Sequence, residues 1–427
     1  MLERRLALFC LLLAVTETPA EAQLRGHGGP VRALALSRDG TELVSGSFDS
    51  TAIRWSLGTG TAETVLRFHE GALNAVAFLG DGRIATSGED GRIAIWQKGQ
   101  VTPVDVLIGH GAPVVQLAVS PDGGTLASAS WDGTARLWSL AGGAPRVLEG
   151  HRQNVNGVAF TRDGRALVSV GYDGTLRIWP LATAGSPRIL TLPSPLNAVA
   201  VAQNGEIFAA GASGKVFFLS AAGDATGEVE AAAAPLIALA ISGNDERIAA
   251  SSIKGAVAII ARDSRTIVRT LVGPGLPAWA VLFLPDSRGL LTGGGDRVIR
   301  RWNSETGEQV GAVAIGGAVD PLAGFEGEPG AQVFRACVAC HTLKSQDGPR
   351  AGPTLAGVFG RKIASLPGYD FSPALKNLDI VWTPQTLSKL FELGPAAYTP
   401  GSKMPEQKVG AEDRSELIRF LEKATKH

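Results

Sequence analysis

A repeat of about 41 residues, running from residue 26 to about residue 315, constrains the fold of this chain more than any other feature. A unit of this length cannot bury both of its faces alone, so neighbouring copies must stack and share an apolar core. Successive repeat ends lie 40 to 42 residues apart, and the seven ends are Trp55, Trp96, Trp138, Trp179, Leu219, Ile260 and Trp302. The pattern therefore predicts a ring of repeats that must close on itself.

Each repeat carries the signals of short antiparallel strands. An apolar run that alternates, such as Val31–Leu36, opens the unit, and period-two alternation indicates a strand. Two further short strands then join through a turn of the Asp-Gly type, which tolerates the positive φ of tight hairpins. These turns are Asp49-Ser50, Asp90-Gly91, Asp132-Gly133 and Asp173-Gly174. Four repeats also begin with a histidine, and these are His27, His69, His110 and His151.

Together these features resemble the WD-repeat family over about two-thirds of the chain. The resemblance implies an all-β, seven-bladed propeller over residues 23–315. It also implies that each histidine bonds to the turn aspartate and the tryptophan of its own blade. The aspartate that commonly follows the tryptophan is missing from every repeat, and repeats five and six lack both His and Trp. For the outer strand of blade seven, residues 308–315 are favoured over the shorter segment 23–25.

A second constraint is the motif Cys337-Val338-Ala339-Cys340-His341. Two thiols at this spacing can add to the vinyl groups of a porphyrin, and the histidine that follows then lies under the iron as its proximal ligand. A redox-active dithiol or half of a zinc site is the alternative for such a pair. The chain has three cysteines, and Cys10 lies in a segment expected to be removed, so no second pair exists to complete a zinc site. The motif therefore predicts one covalent haem c.

Met404 is the second candidate ligand of the iron. It is the only methionine besides Met1, and it lies in the Gly- and Pro-rich segment from Pro400 to Pro405. A methionine without apolar periodicity around it makes a poor core residue, so ligation is favoured over gap filling. His/Met ligation raises the reduction potential and leaves no open position on the iron.

Residues 328–427 resemble a small, all-α class I cytochrome c of the mitochondrial or alphaproteobacterial kind. The resemblance rests on the haem motif, the methionine loop, the segment from Gly352 to Lys362 and the terminal segment from Arg414 to Leu421. It implies that the carbonyl of Pro353 orients the haem histidine. It further implies that Arg361 and Trp382 hold the buried haem propionate.

Some positions depart from that family. Phe371 stands where a propionate-binding tyrosine is usual, and Ala396 and Ala397 replace lysines that commonly ring the exposed haem edge. Arg350 and Lys403 keep two cations of that ring. The identity of the docking partner is therefore open.

The beginning of the chain predicts export. A basic start at Arg4 and Arg5 is followed by a ten-residue apolar run and a small-x-small site ending at Ala22. This pattern indicates a signal peptide over residues 1–22, cleaved after Ala22, because the run is too short to span a bilayer. We expect the mature protein in the periplasm, without a membrane span. The Gly- and Pro-rich residues 316–327 are interpreted as a linker.

Charge balance and the available ligand side chains limit the function to two hypotheses. Basic and acidic residues balance at 40 each, which gives no general signal for nucleic acid. Every histidine and mature cysteine is assigned to a blade, to the haem or to the C-terminus, so no ligand remains for a second metal. We therefore predict an electron carrier, not an enzyme, that exchanges single electrons with redox proteins at the haem edge. The propeller would be its platform for a protein or peptide partner. The alternative is a redox enzyme whose propeller binds a substrate or a second cofactor.

Overall fold

The computed structural model describes residues 23–182, 185–311, 322, 324–338, 340–404 and 407–426. The predicted signal peptide and most of the predicted linker lie outside these residues. The described strands form seven antiparallel sheets, and the described helices all follow them in the chain. None of the helices within the described ranges is long and apolar enough to cross a bilayer.

Six of the seven sheets are blades of four strands in sequential order. Blades 1 to 3 consist of β2 (Val31–Leu36), β3 (Glu42–Ser47), β4 (Thr51–Ser56), β5 (Thr61–Arg67), β6 (Leu73–Phe78), β7 (Ile84–Gly88), β8 (Ile93–Trp96), β9 (Asp105–Leu107), β10 (Val114–Val119), β11 (Thr125–Ser130), β12 (Ala135–Ser139) and β13 (Arg146–Leu148). Blades 4 to 6 consist of β14 (Val155–Phe160), β15 (Ala166–Gly171), β16 (Thr175–Pro180), β17 (Arg188–Thr191), β18 (Leu196–Val201), β19 (Ile207–Gly211), β20 (Lys215–Leu219), β21 (Ala225–Glu230), β22 (Leu236–Ile241), β23 (Arg247–Ser252), β24 (Ala256–Ala261) and β25 (Thr266–Val272). The predicted seven-bladed propeller is confirmed.

Blade 7 is closed by both candidate segments together. Its strands are β26 (Ala278–Phe283), β27 (Gly289–Gly294) and β28 (Val298–Asn303), and β28 is flanked by the short β1 (Leu24–Arg25) and β29 (Gln309–Val310). Leu24 pairs with Ile299, whereas Gln309 pairs with Trp302. The expectation that residues 308–315 alone supply the outer strand was therefore wrong, since two short segments share the edge of β28.

Every blade carries a β-bulge at the same position of its inner strand. The pairing of the first and second strands skips one residue in each blade, and the seven skipped residues are Arg32, Asn74, Val115, Asn156, Asn197, Ile237 and Trp279. The apolar core lies mainly between neighbouring blades. Trp138 of blade 3, for example, packs in one cluster with Ile93 and Ile95 of blade 2. An isolated blade would therefore leave part of its apolar surface exposed.

The C-terminal domain is helical. It contains α1 (Pro329–Phe334), α2 (Pro373–Lys376), α3 (Pro384–Leu393), α4 (Pro395–Tyr398) and α5 (Ala411–Ala424), with a 3₁₀ turn at Ser345–Asp347. The first helix ends at Phe334, so the haem motif follows it in turns instead of lying on it. Proline occupies an early helical position in the first four helices, where its missing N–H costs no hydrogen bond.

The crossing of α1 and α5 forms the centre of this domain. The rings of Phe334 and Phe420 are 5.5 Å apart, and both side chains are buried. Gly330 allows the close approach, because a Cβ atom at this position would lie 2.1 Å from the carbonyl oxygen of Glu416. Leu322 is buried in the same core and Phe325 packs on Phe420 at 5.1 Å, so these two residues of the predicted linker belong to the helical domain.

Candidate haem site

Backbone hydrogen bonds fold the haem motif into a compact turn after α1. The amide of Cys337 donates to the carbonyl of Phe334 at 2.7 Å, and the amide of His341 donates to the carbonyl of Cys337 at 2.9 Å. Both Cys337 and Cys340 are free thiols, and Cys337 is buried. The turn thus keeps two unpaired thiols and one imidazole within five residues of chain.

His341 is held by the carbonyl of Pro353. Its Nδ1 lies 2.8 Å from that oxygen, so Nδ1–H is the donor and the lone pair of Nε2 is available to a metal. Burial lowers the pKa of His341, against the opposing effect of the Pro353 carbonyl, with a further lowering by Arg350. The imidazole is therefore neutral, as ligation requires. The sequence-based role of Pro353 agrees with this contact.

Gly352 completes the support of this ring, and the sequence analysis missed its role. A Cβ atom built on Gly352 would lie 2.5 Å from Cε1 and 2.8 Å from Nδ1 of His341. Real Cβ contacts are never this short, so only glycine lets the chain carry Pro353 past the imidazole. The sequence feature that could have indicated this role is the glycine directly before Pro353.

The environment of the thiols does not suit a redox dithiol. Burial, together with the nearby Cys340, raises the pKa of Cys337 to about 12. Burial and the carboxylate of Asp49 raise the pKa of Cys340 to about 11, although Arg297 and Arg350 act in the opposite direction. Reactive cysteines have lowered pKa values. The structure therefore favours the haem interpretation of this pair over the redox one.

Met404 lies on a loop between α4 and α5. Its amide donates to the hydroxyl of Ser402 at 3.1 Å, and its side chain packs against the apolar core that contains Cys337 and Leu387. The thioether thus reaches the core that one of the haem-motif cysteines also lines. This placement is compatible with ligation of the iron.

Arg361 and Trp382 are brought together by backbone pairing. The amide of Trp382 donates to the carbonyl of Arg361 at 2.9 Å. The guanidinium of Arg361 donates to the carbonyls of Thr354 at 2.9 Å and Ala356 at 3.1 Å. A guanidinium has five N–H donors, so Arg361 can keep both bonds and still bind a carboxylate. The residues therefore fit a haem propionate.

Two thiols, a neutral imidazole and a thioether are the donor groups that a haem c with His/Met ligation would need. Residues 327–425 match the family model for cytochrome c. The chain is 43% identical over 108 residues to cytochrome c of Cochliobolus lunatus, which covers 24% of this chain and 99% of that protein. It is 42% identical over 103 residues to cytochrome c of Arabidopsis thaliana, covering 24% of this chain and 91% of that protein.

This chain belongs to the cytochrome c family. Its haem is therefore covalently bound haem c with iron, and the domain transfers electrons. Cytochrome c type-1 of Ascaris suum is a further relative, 41% identical over 101 residues, covering 23% of this chain and 88% of that protein. These relatives align only with the C-terminal domain, so they say nothing about the propeller.

The propeller before the cytochrome domain consists of WD repeats. The family model for the WD domain, G-beta repeat, matches residues 20–56, 60–97, 101–139, 143–180 and 265–303. Repeats five and six are outside these matches, yet they form complete blades. A WD propeller indicates a role in protein interaction.

In four blades the histidine is linked to the tryptophan through a hydroxyl. In blade 4, His151 Nε2 and Trp179 Nε1 both lie 2.8 Å from the hydroxyl oxygen of Ser169, and Nδ1 of His151 lies 3.1 Å from Asp173. The implied bond to the turn aspartate is confirmed, whereas the implied bond to the tryptophan is replaced by a hydroxyl that bridges the two rings. The bridging residues are Ser45, Thr86, Ser128 and Ser169. The four histidines therefore have structural partners in the blades.

Tyr369 is a second residue whose role the sequence pattern does not reveal. Its hydroxyl donates to the carbonyl of Ala351 at 2.7 Å, and its ring centre lies 4.5 Å from that of Phe371. Phe371, which lacks a hydroxyl, thus packs beside a tyrosine of the cytochrome domain. The tyrosine anchors the segment that leads to Gly352 and Pro353.

Proposed function

We propose that this protein is an exported, periplasmic carrier of single electrons whose propeller is a platform for a protein partner. One haem c is attached through Cys337 and Cys340, and its iron is ligated by His341 and Met404. The observation that carries the proposal is the 2.8 Å contact between His341 Nδ1 and the carbonyl of Pro353. This contact keeps the proton on Nδ1 and leaves the lone pair of Nε2 available to a metal.

The residues around the haem each have a defined task. The haem iron supplies one-electron oxidation and reduction. The carbonyl of Pro353 keeps the proton on Nδ1 of His341, and Met404 would supply the second protein ligand of the iron. Arg361 offers N–H donors to a propionate, with Trp382 beside it. An iron held by both His341 and Met404 would be suited to electron exchange and not to binding small ligands.

The propeller has an exposed surface that suits protein recognition. Trp131, Tyr172 and Ile253 are 46%, 50% and 40% exposed, and each lies in the turn between the second and third strands of its blade. These turns lie at one end of the propeller, the end where the blade histidines meet the turn aspartates. Large exposed aromatic and apolar side chains on one face are typical of interaction sites.

Export is supported by the basic and apolar start of the chain and by the haem motif. Covalent attachment of haem c takes place on the exported side of the membrane, so both features lead to the same compartment. Fractionation of cells that express the full chain tests this part. A haem-stained band near the mature mass in the periplasmic fraction is expected, and a band confined to the cytoplasm would contradict it.

Spectroscopy of the purified full-length protein separates the carrier from an enzyme. A carrier contains one low-spin haem and no other chromophore. The Cys340→Ala variant should lose the visible haem band on a denaturing gel or keep it only weakly, since one of two covalent bonds is lost. A second chromophore bound to the propeller, or turnover of a substrate, would favour the redox enzyme.

A further inference from the structure

The propeller and the cytochrome domain touch along one face, which is formed by the loops that lead into blades 1 and 2. The amide of Ala351 donates to the carbonyl of Gly26 at 3.2 Å, a backbone hydrogen bond between the two domains. A Cβ atom on Gly28 would lie 2.5 Å from Sγ of Cys340. The propeller backbone thus reaches the sulfur that attaches one edge of the haem.

Arg67, the last residue of β5, anchors this contact. Its Nη2 donates to the carbonyls of Arg350 at 2.6 Å and Ala351 at 3.0 Å. Its guanidinium also lies 4.2 Å from the ring centre of Tyr369, whose hydroxyl bonds to the same Ala351 carbonyl. Hydrogen bonds from a charged donor and a cation–π contact are stronger than neutral surface contacts.

Lys403 makes a second contact, from the cytochrome side. Its ammonium donates to the carbonyl of His69 in the loop that leads into blade 2. Burial, the largest effect, and the nearby Arg67 disfavour this positive charge, whereas the carboxylates of Glu70, Asp90 and Asp49 act in its favour. Three carboxylates of the propeller therefore lie near a cation that directly precedes Met404, and opposite charges that meet in this way favour docking.

These contacts cover the surface by which the cytochrome domain would meet another redox protein. Arg350 and Lys403 are the two cations retained around the haem edge, and the propeller touches the backbone of one and the ammonium of the other. We infer that blades 1 and 2 are the docking partner of the chain's own cytochrome domain, and that this closed arrangement keeps other proteins from the haem edge until the domain is released. The inference rests on the proposed attachment of haem at Cys337 and Cys340.

Because the two domains are covalently connected, even a small contact can hold them together. Ten residues, 312–321, connect the described end of the propeller at Gly311 to Leu322. A tether of this length gives an effective concentration on the order of millimolar, so even a weak contact is well populated. Release leaves the two domains attached, and a partner bound to the exposed turns of blades 3, 4 and 6 would then be close to the uncovered haem edge. The closed and open arrangements form a two-state equilibrium that such a partner can shift.

Hydrogen exchange of the full-length protein tests the closed arrangement without any electron transfer. The amide of Ala351 depends on the propeller for its bond, whereas the amide of Leu355 bonds to Thr342 inside the cytochrome domain at 2.8 Å. Arg67→Ala and Gly28→Leu should each speed exchange at Ala351 by roughly tenfold or more, because losing a charged hydrogen bond or forcing a side chain into the interface shifts the equilibrium by at least that factor. Exchange at Leu355 should not change.

Matched variants on the same two blades are the controls. Arg83→Ala removes an arginine whose side chain bonds to Asp81 in its own loop, and Gly58→Leu adds a side chain where no atom lies within 4 Å. Both should leave Ala351 as protected as in the wild type. If Gly28→Leu fails to fold by circular dichroism, Arg67→Ala decides.

The holoprotein provides a second readout. One electron passes from the reduced haem iron to the copper(II) of oxidised azurin, which becomes copper(I), and this reaction should be faster in Arg67→Ala than in the wild type. Oxidation by hexacyanoferrate(III), a small ion, should change much less. An unprotected Ala351 amide in the wild type, no effect of Arg67→Ala, or an equal rise at Leu355 would each overturn the docking inference. Absence of a haem-stained band would instead reject the proposed attachment site.

Discussion

His341 Nδ1 and the carbonyl oxygen of Pro353 are 2.8 Å apart, although twelve positions separate the two residues in the chain. The bond sets the tautomer of the imidazole, and Gly352 allows the chain to pass close enough to make it. The ligand and its orienting group are thus built from two loops that meet only in the folded domain. The first two predictions test the Met404 side and the His341 side of the proposed haem site.

Replacement of Met404 should open the iron. Met404→Ala removes the only methionine besides Met1, so we expect loss of the near-infrared sulfur-to-iron band and a lower reduction potential. We also expect the reduced protein to bind carbon monoxide. Absorption spectroscopy and redox titration measure all three. Ready binding of carbon monoxide by the wild type would show that the His/Met assignment is wrong.

Gly352→Ala should disturb the proximal side. The new Cβ atom would lie 2.5 Å from the His341 ring, so the ring or the loop must move and the bond to Pro353 should lengthen or break. We expect a loss of about 1–3 kcal/mol in the free energy of unfolding and a shifted reduction potential. Gly410→Ala is the control, because nothing lies within 4 Å of a Cβ there. Equal effects of the two substitutions would contradict the role of Gly352.

The hydroxyl bridges should stabilise the blades unequally. Ser169→Ala leaves the ring nitrogens of both His151 and Trp179 without their shared partner. We therefore expect the free energy of unfolding to fall by about 2–4 kcal/mol. In blade 7, Trp302 donates to the hydroxyl of Thr292, and no histidine shares this hydroxyl. Thr292→Val should therefore lower the free energy of unfolding by about half as much as Ser169→Ala. Chemical denaturation of the two variants measures the difference. Ser169→Thr, which keeps a hydroxyl, should remain close to the wild type.

Acid should destabilise the propeller through the pair of His151 and Asp173. Burial lowers the pKa of His151, so its contribution to stability falls as the pH drops below about 6.5, where the unfolded chain gains protons that the folded chain excludes. Burial would raise the pKa of Asp173, but hydrogen bonds, first from the Arg152 amide and then from Thr175 and His151, outweigh it and lower the pKa to about 2. The carboxylate therefore stabilises the fold above pH 3.8, and this contribution is lost as the pH falls toward 2.

Denaturation of the wild type and of Asp173→Asn between pH 7 and pH 3 measures this dependence. The wild type should lose stability on acidification below pH 6.5. The variant should lack the part of the loss that occurs below pH 4. An Asp173→Asn variant with an unchanged profile in that range would show that the carboxylate does not contribute.

The sequence was sufficient for the features that depend on local pattern. The 41-residue period and the Asp-Gly turns predicted seven blades, because strand alternation and turn geometry are properties of neighbouring residues. The haem motif predicted the cofactor for the same reason, since Cys337, Cys340 and His341 are contiguous. Pro353 could be identified only through resemblance to a family, and the structure then supplied its contact with His341.

The tertiary structure decided what depends on surfaces that meet only in the folded protein. The edge of β28 is shared by β1 and β29, which are almost 300 residues apart, and only closure of the ring brings them together. The bond from Arg67 to the Ala351 carbonyl likewise joins two domains with separate cores. Neither relationship leaves a periodic signal in the chain, because each depends on the shape of two folded surfaces and on their fit. The sequence by itself therefore determined the blades, the haem and its covalent attachment, whereas the packing of folded parts decided how the ring closes and where the cytochrome domain docks.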